Sequence, residues 1–174
     1  MSRPRFLMVV GLILTAALSR LIPHPWNFTP ITAMALFGGA NFSKKWVAFL
    51  VPLSALFLSN LILGFSPLNI VTYGCFAFMV LMGQALRRHK TAGSIAGMTI
   101  TASVFFFVVT NFGMWAIGTL YPKTFPGLVA CYIAAIPFFQ NTLLGDACYS
   151  ALLFGGAAFL EKRVPLLKEA PAAA

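Results

Sequence analysis

The chain has 174 residues, 60% of them hydrophobic and only 9% charged, with a mean hydropathy of +0.89. No water-soluble domain of this length hides so much apolar surface, so the composition excludes a soluble enzyme and points to an integral membrane protein. A net charge of +9 does not indicate nucleic acid here, because the basic residues fall in small clusters between apolar runs, as topology signals do.

The apolar runs are too long and too unalternating for barrel strands, which leaves helices as the way to satisfy backbone polar groups in hydrocarbon. Met1 to Arg5 is a short basic head and Phe6 to Leu21 the first apolar segment. Its length and the Ala-Ala-Leu-Ser sequence are compatible with a cleavable signal peptide, but the later apolar segments favour a retained helix. Gly11, Thr15 and Ser19 recur every four residues and form a stripe of small side chains against which another helix can pack.

Arg20 to Pro30 interrupts the apolar sequence with a guanidinium, an imidazole, an indole and an amide. Pro23, Pro25 and Pro30 end the first helix near Leu21 and make this stretch a loop. It reads either as a ligand-facing loop or as a membrane-surface turn with its rings at the headgroups. Ile31 to Asn41 is apolar but about half the length of a span. Trp46 to Gly64 follows, with Asn60 near its end, then a turn at Gly64-Phe65-Ser66-Pro67 and a fourth segment from Leu68 to Leu86.

Arg87, Arg88, His89 and Lys90 form a compact basic cluster, and a long fifth segment runs from about Ala92 to Leu120. A Pro-containing break at Tyr121 to Pro126 precedes a short interfacial helix at Gly127 to Ile136, and Pro137 leads into a last segment from Gln140 to Leu160. The expectation is an all-α integral membrane protein, a six-segment helical bundle with a short second segment and both termini cytoplasmic. Residues 1–164 form one transmembrane domain, and 165–174 are a disordered cytoplasmic tail. With the N-terminus inside, ten of the 12 Lys and Arg residues fall on the cytoplasmic side and only Arg20 and Lys123 outside.

This orientation puts Asn60, Tyr73, Cys75, Asn111, Trp115 and Asp146 in the outer half, level with or below the Arg20 to Pro30 loop. Together with Arg20, His24, Trp26 and Asn27 they outline an outward-facing ligand pocket. Asp146 is one of three acids and the one within an apolar span, so it needs a partner, and Arg20 is the candidate. The pair is either a structural pin between helices or a contact for a polar ligand group. His24 reads first as a loop hydrogen-bonder, Trp26 and Trp115 as headgroup anchors or packing residues, and the cysteines as small buried hydrophobes. Cys75, Cys131 and Cys148 have no metal-ligand spacing, and the expectation is no intrinsic cofactor and no metal site.

The tract Phe28-Thr29-Pro30-Ile31-Thr32-Ala33-Met34-Ala35-Leu36-Phe37-Gly38-Gly39-Ala40, followed by Lys45-Trp46 and ending at Leu63-Gly64, resembles helices two and three of energy-coupling-factor S components. Gly145-Asp146 is similar to the opening of their last helix. The tracts from Pro23 to Ala40 and Cys131 to Gly156 resemble more closely an uncharacterised bacterial six-helix membrane family that carries no function. The first resemblance implies a bacterial inner-membrane subunit that captures a vitamin-like molecule at its outer face for uptake, with a transmembrane coupling subunit and ATPases as partners. Such subunits dock through an Ala-x-x-x-Ala face of helix one, where this chain has Gly11, Thr15 and Ser19. Solitary members resemble cobalamin importers, and there Cys75 would be the residue to ligate cobalt.

Three other classes are weighed beside this one. An accessory subunit of a larger membrane complex, with no transport role, fits a small Phe-rich bundle equally well. A proton-coupled carrier would rest on Asp146 alone. A membrane enzyme lacks a nucleophile and base pair, paired carboxylates or a metal cluster, so the expectation is not an enzyme. No Gly-x-x-x-x-Gly-Lys motif is present, so any ATP use falls to a partner.

Overall fold

The structure, a computed structural model, describes residues 1–168. It is all helical: α1 (Arg3–Ser19), α2 (Ile31–Asn41), α3 (Lys45–Leu63), α4 (Asn69–Leu86), α5 (Ala92–Ile117) and α6 (Phe125–Arg163). Helices α3 to α6 are each long and apolar enough to cross a membrane. Their outward surfaces are apolar, as Leu58, Ile62, Ile70 and Leu152 illustrate, each more than half exposed. This is the surface of a multi-pass membrane protein.

Helix α2 is the axis around which the rest is arranged. All 11 of its residues are buried, and α1, α3, α4, α5 and α6 pack against it. Glycine makes the closest approaches possible. A Cβ on Gly39 would lie 2.2 Å from the Val80 carbonyl oxygen of α4, and one on Gly83 would lie 2.3 Å from the Leu36 carbonyl oxygen of α2. On the α3 side, Gly38 leaves room for the Pro52 ring, whose Cγ would stand 2.3 Å from a Cβ there. Phe37 packs edge-on against Phe154 of α6 with ring centroids 5.2 Å apart.

Local signals mark the helix ends. The Ser2 hydroxyl accepts from the Arg5 amide, Thr91 from Ser94 and Thr124 from Gly127, each satisfying an amide that the first turn leaves open. Gly64 closes α3 with φ of 92°, a left-handed conformation that a side chain resists.

The C-terminal third corrects the sequence reading. There is no short interfacial helix followed by a separate last span, because α6 runs unbroken through Pro137 for 39 residues. Pro126 sits in its first turn, where a missing amide costs nothing, and Pro137 is accommodated as prolines in membrane helices are. A π-helical turn at Ala151–Gly155 interrupts the α-helical winding. Pro165–Leu167 form a 3-10 turn tied to the head by the Ser2 hydroxyl donating to the Leu166 carbonyl at 3.4 Å, where a disordered tail was expected. Residues 169–174 of that tail lie outside the described residues.

Candidate functional site

Three of the expected ligand residues come together at the end of the bundle opposite the termini. Arg20 follows the last turn of α1, and its Nη1 donates to the Ser59 hydroxyl and, at 3.1 Å, to the Asn60 side-chain oxygen of α3. The Asn60 amide nitrogen in turn donates to the Tyr73 hydroxyl of α4 at 3.2 Å. Beside them the Ser19 hydroxyl donates to the Tyr149 hydroxyl of α6 at 2.8 Å, so four helices contribute to one polar layer. Among the described residues all the partners of Arg20 are neutral, and its Nε is buried with no hydrogen-bond partner. A guanidinium held this way presents a planar donor edge suited to a carboxylate or phosphate.

The Arg20 to Pro30 stretch folds over this layer. Asn27 adopts φ of 64° to turn the chain, the Asn141 amide of α6 donates to the Trp26 carbonyl at 3.0 Å, and the Phe28 ring lies 5.8 Å from that of Tyr149. Gly145 lets the backbone press down, since a Cβ there would be 3.1 Å from Phe28 Cα. Of the loop's expected ligand residues, His24 bonds only locally, its Nδ1 lying 2.7 Å from the Ile22 carbonyl oxygen. Trp26 is 80% exposed, and Asn27 is exposed as well.

Asn111 and Trp115 belong to a separate corner where α5 meets the start of α6. The Asn111 amide donates to its own helix at Phe107, and the Trp115 indole donates to the Pro122 carbonyl at 2.9 Å. Lys123 donates to the Trp115 and Gly118 carbonyls, a cation closing the C-terminal end of α5. Cys75 is 2% exposed and packs in the core, so a corrinoid would reach its thiol only if the helices parted.

Asp146 and Arg20 do not form a pair. Asp146 follows Gly145, which packs against Phe28 and Thr29 of the loop, so it lies just beneath that stretch, as the sequence placed it, with its side chain buried in the bundle. There it is 2% exposed, accepts from the Ser103 hydroxyl of α5 at 2.6 Å, and has Thr32 as its second hydrogen-bonding neighbour. Thr32 is in the first turn of α2, which has no side-chain cap of its own. The carboxylate thus faces the positive end of a buried half-length helix, and neutral donors with that dipole replace the expected guanidinium.

The ion pair that does occur lies at the opposite end, among residues taken from the sequence as head and tail charges. Arg5, 1% exposed, reaches Glu161 at 3.1 Å and donates to the Asn41 side chain at 3.1 Å, while Lys90 donates to the same Asn41 oxygen at 3.4 Å. Among the described residues this is the one ion pair within 4 Å. No spacing in the sequence flags it, because its members stand 156 residues apart. Ser59, Ser103 and Thr32 are likewise invisible as site residues, being ordinary hydroxyls in apolar runs.

The profile of DUF6580, a family of unknown function, matches residues 1–168, and the chain belongs to that family. No curated protein matches, and no solved structure matches.

Proposed function

We propose that this DUF6580 member is the substrate-binding subunit of a small-molecule uptake system, seated in a bacterial inner membrane with both termini in the cytoplasm. The observation that carries the reading is Arg20, a half-buried cation whose described partners are all neutral and whose Nε is buried without a partner. An anionic group on the ligand completes its hydrogen bonding, with Asn60 and Tyr73 as the polar neighbours that fix its orientation. The ligand class is therefore a vitamin-like molecule with a carboxylate or phosphate, taken from the side of the Arg20 to Pro30 loop.

A coupling partner fits the same reading. Gly11 and Thr15 are exposed on the outside of α1, the Thr15 hydroxyl folded back onto the Gly11 carbonyl at 2.9 Å, while Ser19 is committed to Tyr149 inside the bundle. A helix of a transmembrane coupling subunit packs against that small-residue face.

The test is thermal unfolding of the detergent-purified protein against a panel of vitamins and cofactor precursors that includes cobalamin. A specific ligand raises stability by mass action, about 2.7 kcal/mol at a hundredfold excess over its dissociation constant. A saturable rise with an anionic member of the panel is the expected result. No rise across the panel, with another membrane protein co-purifying, favours the accessory-subunit reading instead.

A further inference from the structure

At the end that carries both termini a cavity of about 890 Å³ opens between the lower halves of α5 and α6, within the size range of ligand pockets. Small side chains leave it open: Ala92 and Ala96 on α5 face Ala147, Ala151, Gly155 and Ala158 on α6. A Cβ on Gly155 would meet nothing within 4 Å. Ile100, 57% exposed, is part of the wall, so the groove is open sideways to the membrane as well as toward its mouth. Its deep walls are largely apolar, with Phe37, Ile95, Leu143 and Phe154, and the hydroxyls of Thr99, Ser103 and Ser150 line it too, Thr99 bonded to Ser150 at 3.0 Å.

The mouth has the opposite character. Arg5, Arg87, Arg88 and Lys90 line it against one acid, Glu161, which is joined to Arg5. Arg87 and Arg88 are exposed at the head of the α4–α5 connection, the level at which the basic clusters of the chain collect. An apolar slot open to lipid beneath a cluster of cations matches one occupant in both charge and shape, an acyl chain below an anionic headgroup.

We infer that the groove between α5 and α6 is a binding site for an anionic phospholipid of the leaflet on the side of the termini, its phosphate at Arg87 and Arg88 and one acyl chain along Ala96, Ala151 and Gly155. The site is remote from Arg20 and does not depend on what binds there.

Native mass spectrometry of the detergent-purified full chain tests it, with phosphatidylglycerol and phosphatidylcholine of the same acyl chains as probes and glycerol 3-phosphate as the free headgroup. Wild type is expected to retain phosphatidylglycerol at least about tenfold better than phosphatidylcholine. Arg87→Gln with Arg88→Gln removes that preference. Gly155→Leu, or Ala151→Leu should the first not purify as a monodisperse species, lowers retention of both lipids by filling the slot. Equal retention of the two lipids by wild type overturns the inference, as does undiminished lipid retention in a folded slot-filling variant. Displacement of the lipid by glycerol 3-phosphate at equal concentration also overturns it, in favour of a soluble-anion site.

Discussion

Asp146 illustrates how a buried carboxylate is held without a counter-charge. The Ser103 and Thr32 hydroxyls and the start of α2 replace a cation, and each makes a separable contribution. Asp146→Asn keeps an acceptor for Ser103 and removes a charge that burial penalises, so it should unfold within about 1 kcal/mol of wild type. Asp146→Ala also removes the Ser103 contact, leaving that hydroxyl its 2.8 Å bond to the Thr99 carbonyl, and should cost about 0.5–1.5 kcal/mol more, read as a further fall in thermal unfolding in detergent. Equal stability of the two variants would remove the hydroxyl from the account. At the other end, Glu161→Gln takes the carboxylate from the buried Arg5. The loss should be about 1–3 kcal/mol, below the cost of breaking a fully buried pair because the Glu161 side chain is 26% exposed. The sequence identified Asp146 as a residue needing a partner, since charge inside an apolar run is costly wherever it falls. It did not identify the partner, because that depends on which turns of α2, α5 and α6 share a level.

Elements whose ends are written in local chemistry were legible, and those set by packing were not. Ile31–Asn41 was bounded from the sequence by Pro30 before it and Lys44-Lys45 after it, and the structure places a helix over the same residues. Pro137 misled in the other direction, since a proline that ends a helix in water is carried inside one here. What the sequence left unsaid about α2 is its full burial, made possible by glycines at its contact with α4. Gly39→Ala and Gly83→Ala each drive a Cβ into a facing backbone carbonyl and should each destabilise by about 1–3 kcal/mol or prevent purification of a monodisperse protein. Gly11→Ala and Gly97→Ala meet open space and should unfold within about 0.5 kcal/mol of wild type. A Gly39→Ala variant as stable as wild type would mean that α2 and α4 do not approach so closely.

For the whole molecule, the distribution of polar groups divides the bundle into two ends with different chemistry. The end beneath the Arg20 to Pro30 loop has one half-buried guanidinium among neutral partners, and the end with the termini has a cationic mouth above an apolar groove. The buried Asp146 belongs to the loop end, beneath Phe28, and is bonded to a hydroxyl of α5. Six helices, the short second one and the clustering of basic residues were all readable from hydropathy and charge, which act residue by residue. The division of the ten expected ligand residues was not: Arg20, Asn60 and Tyr73 meet, Asn111 and Trp115 form another corner, and Cys75 is in the core. Side chains at similar depth in a bundle point around a full circle, and only helix packing selects those that converge.

The most direct measurement is the ligand-dependent melting temperature of wild type and Arg20→Gln, side by side, with the anionic panel member that stabilises wild type. The predicted result is a saturable rise in wild type and an affinity at least about tenfold weaker in Arg20→Gln, with Arg87→Gln/Arg88→Gln behaving as wild type. An equal rise in wild type and folded Arg20→Gln would contradict the assignment of Arg20 as the anion-binding residue, and with it the proposed capture site.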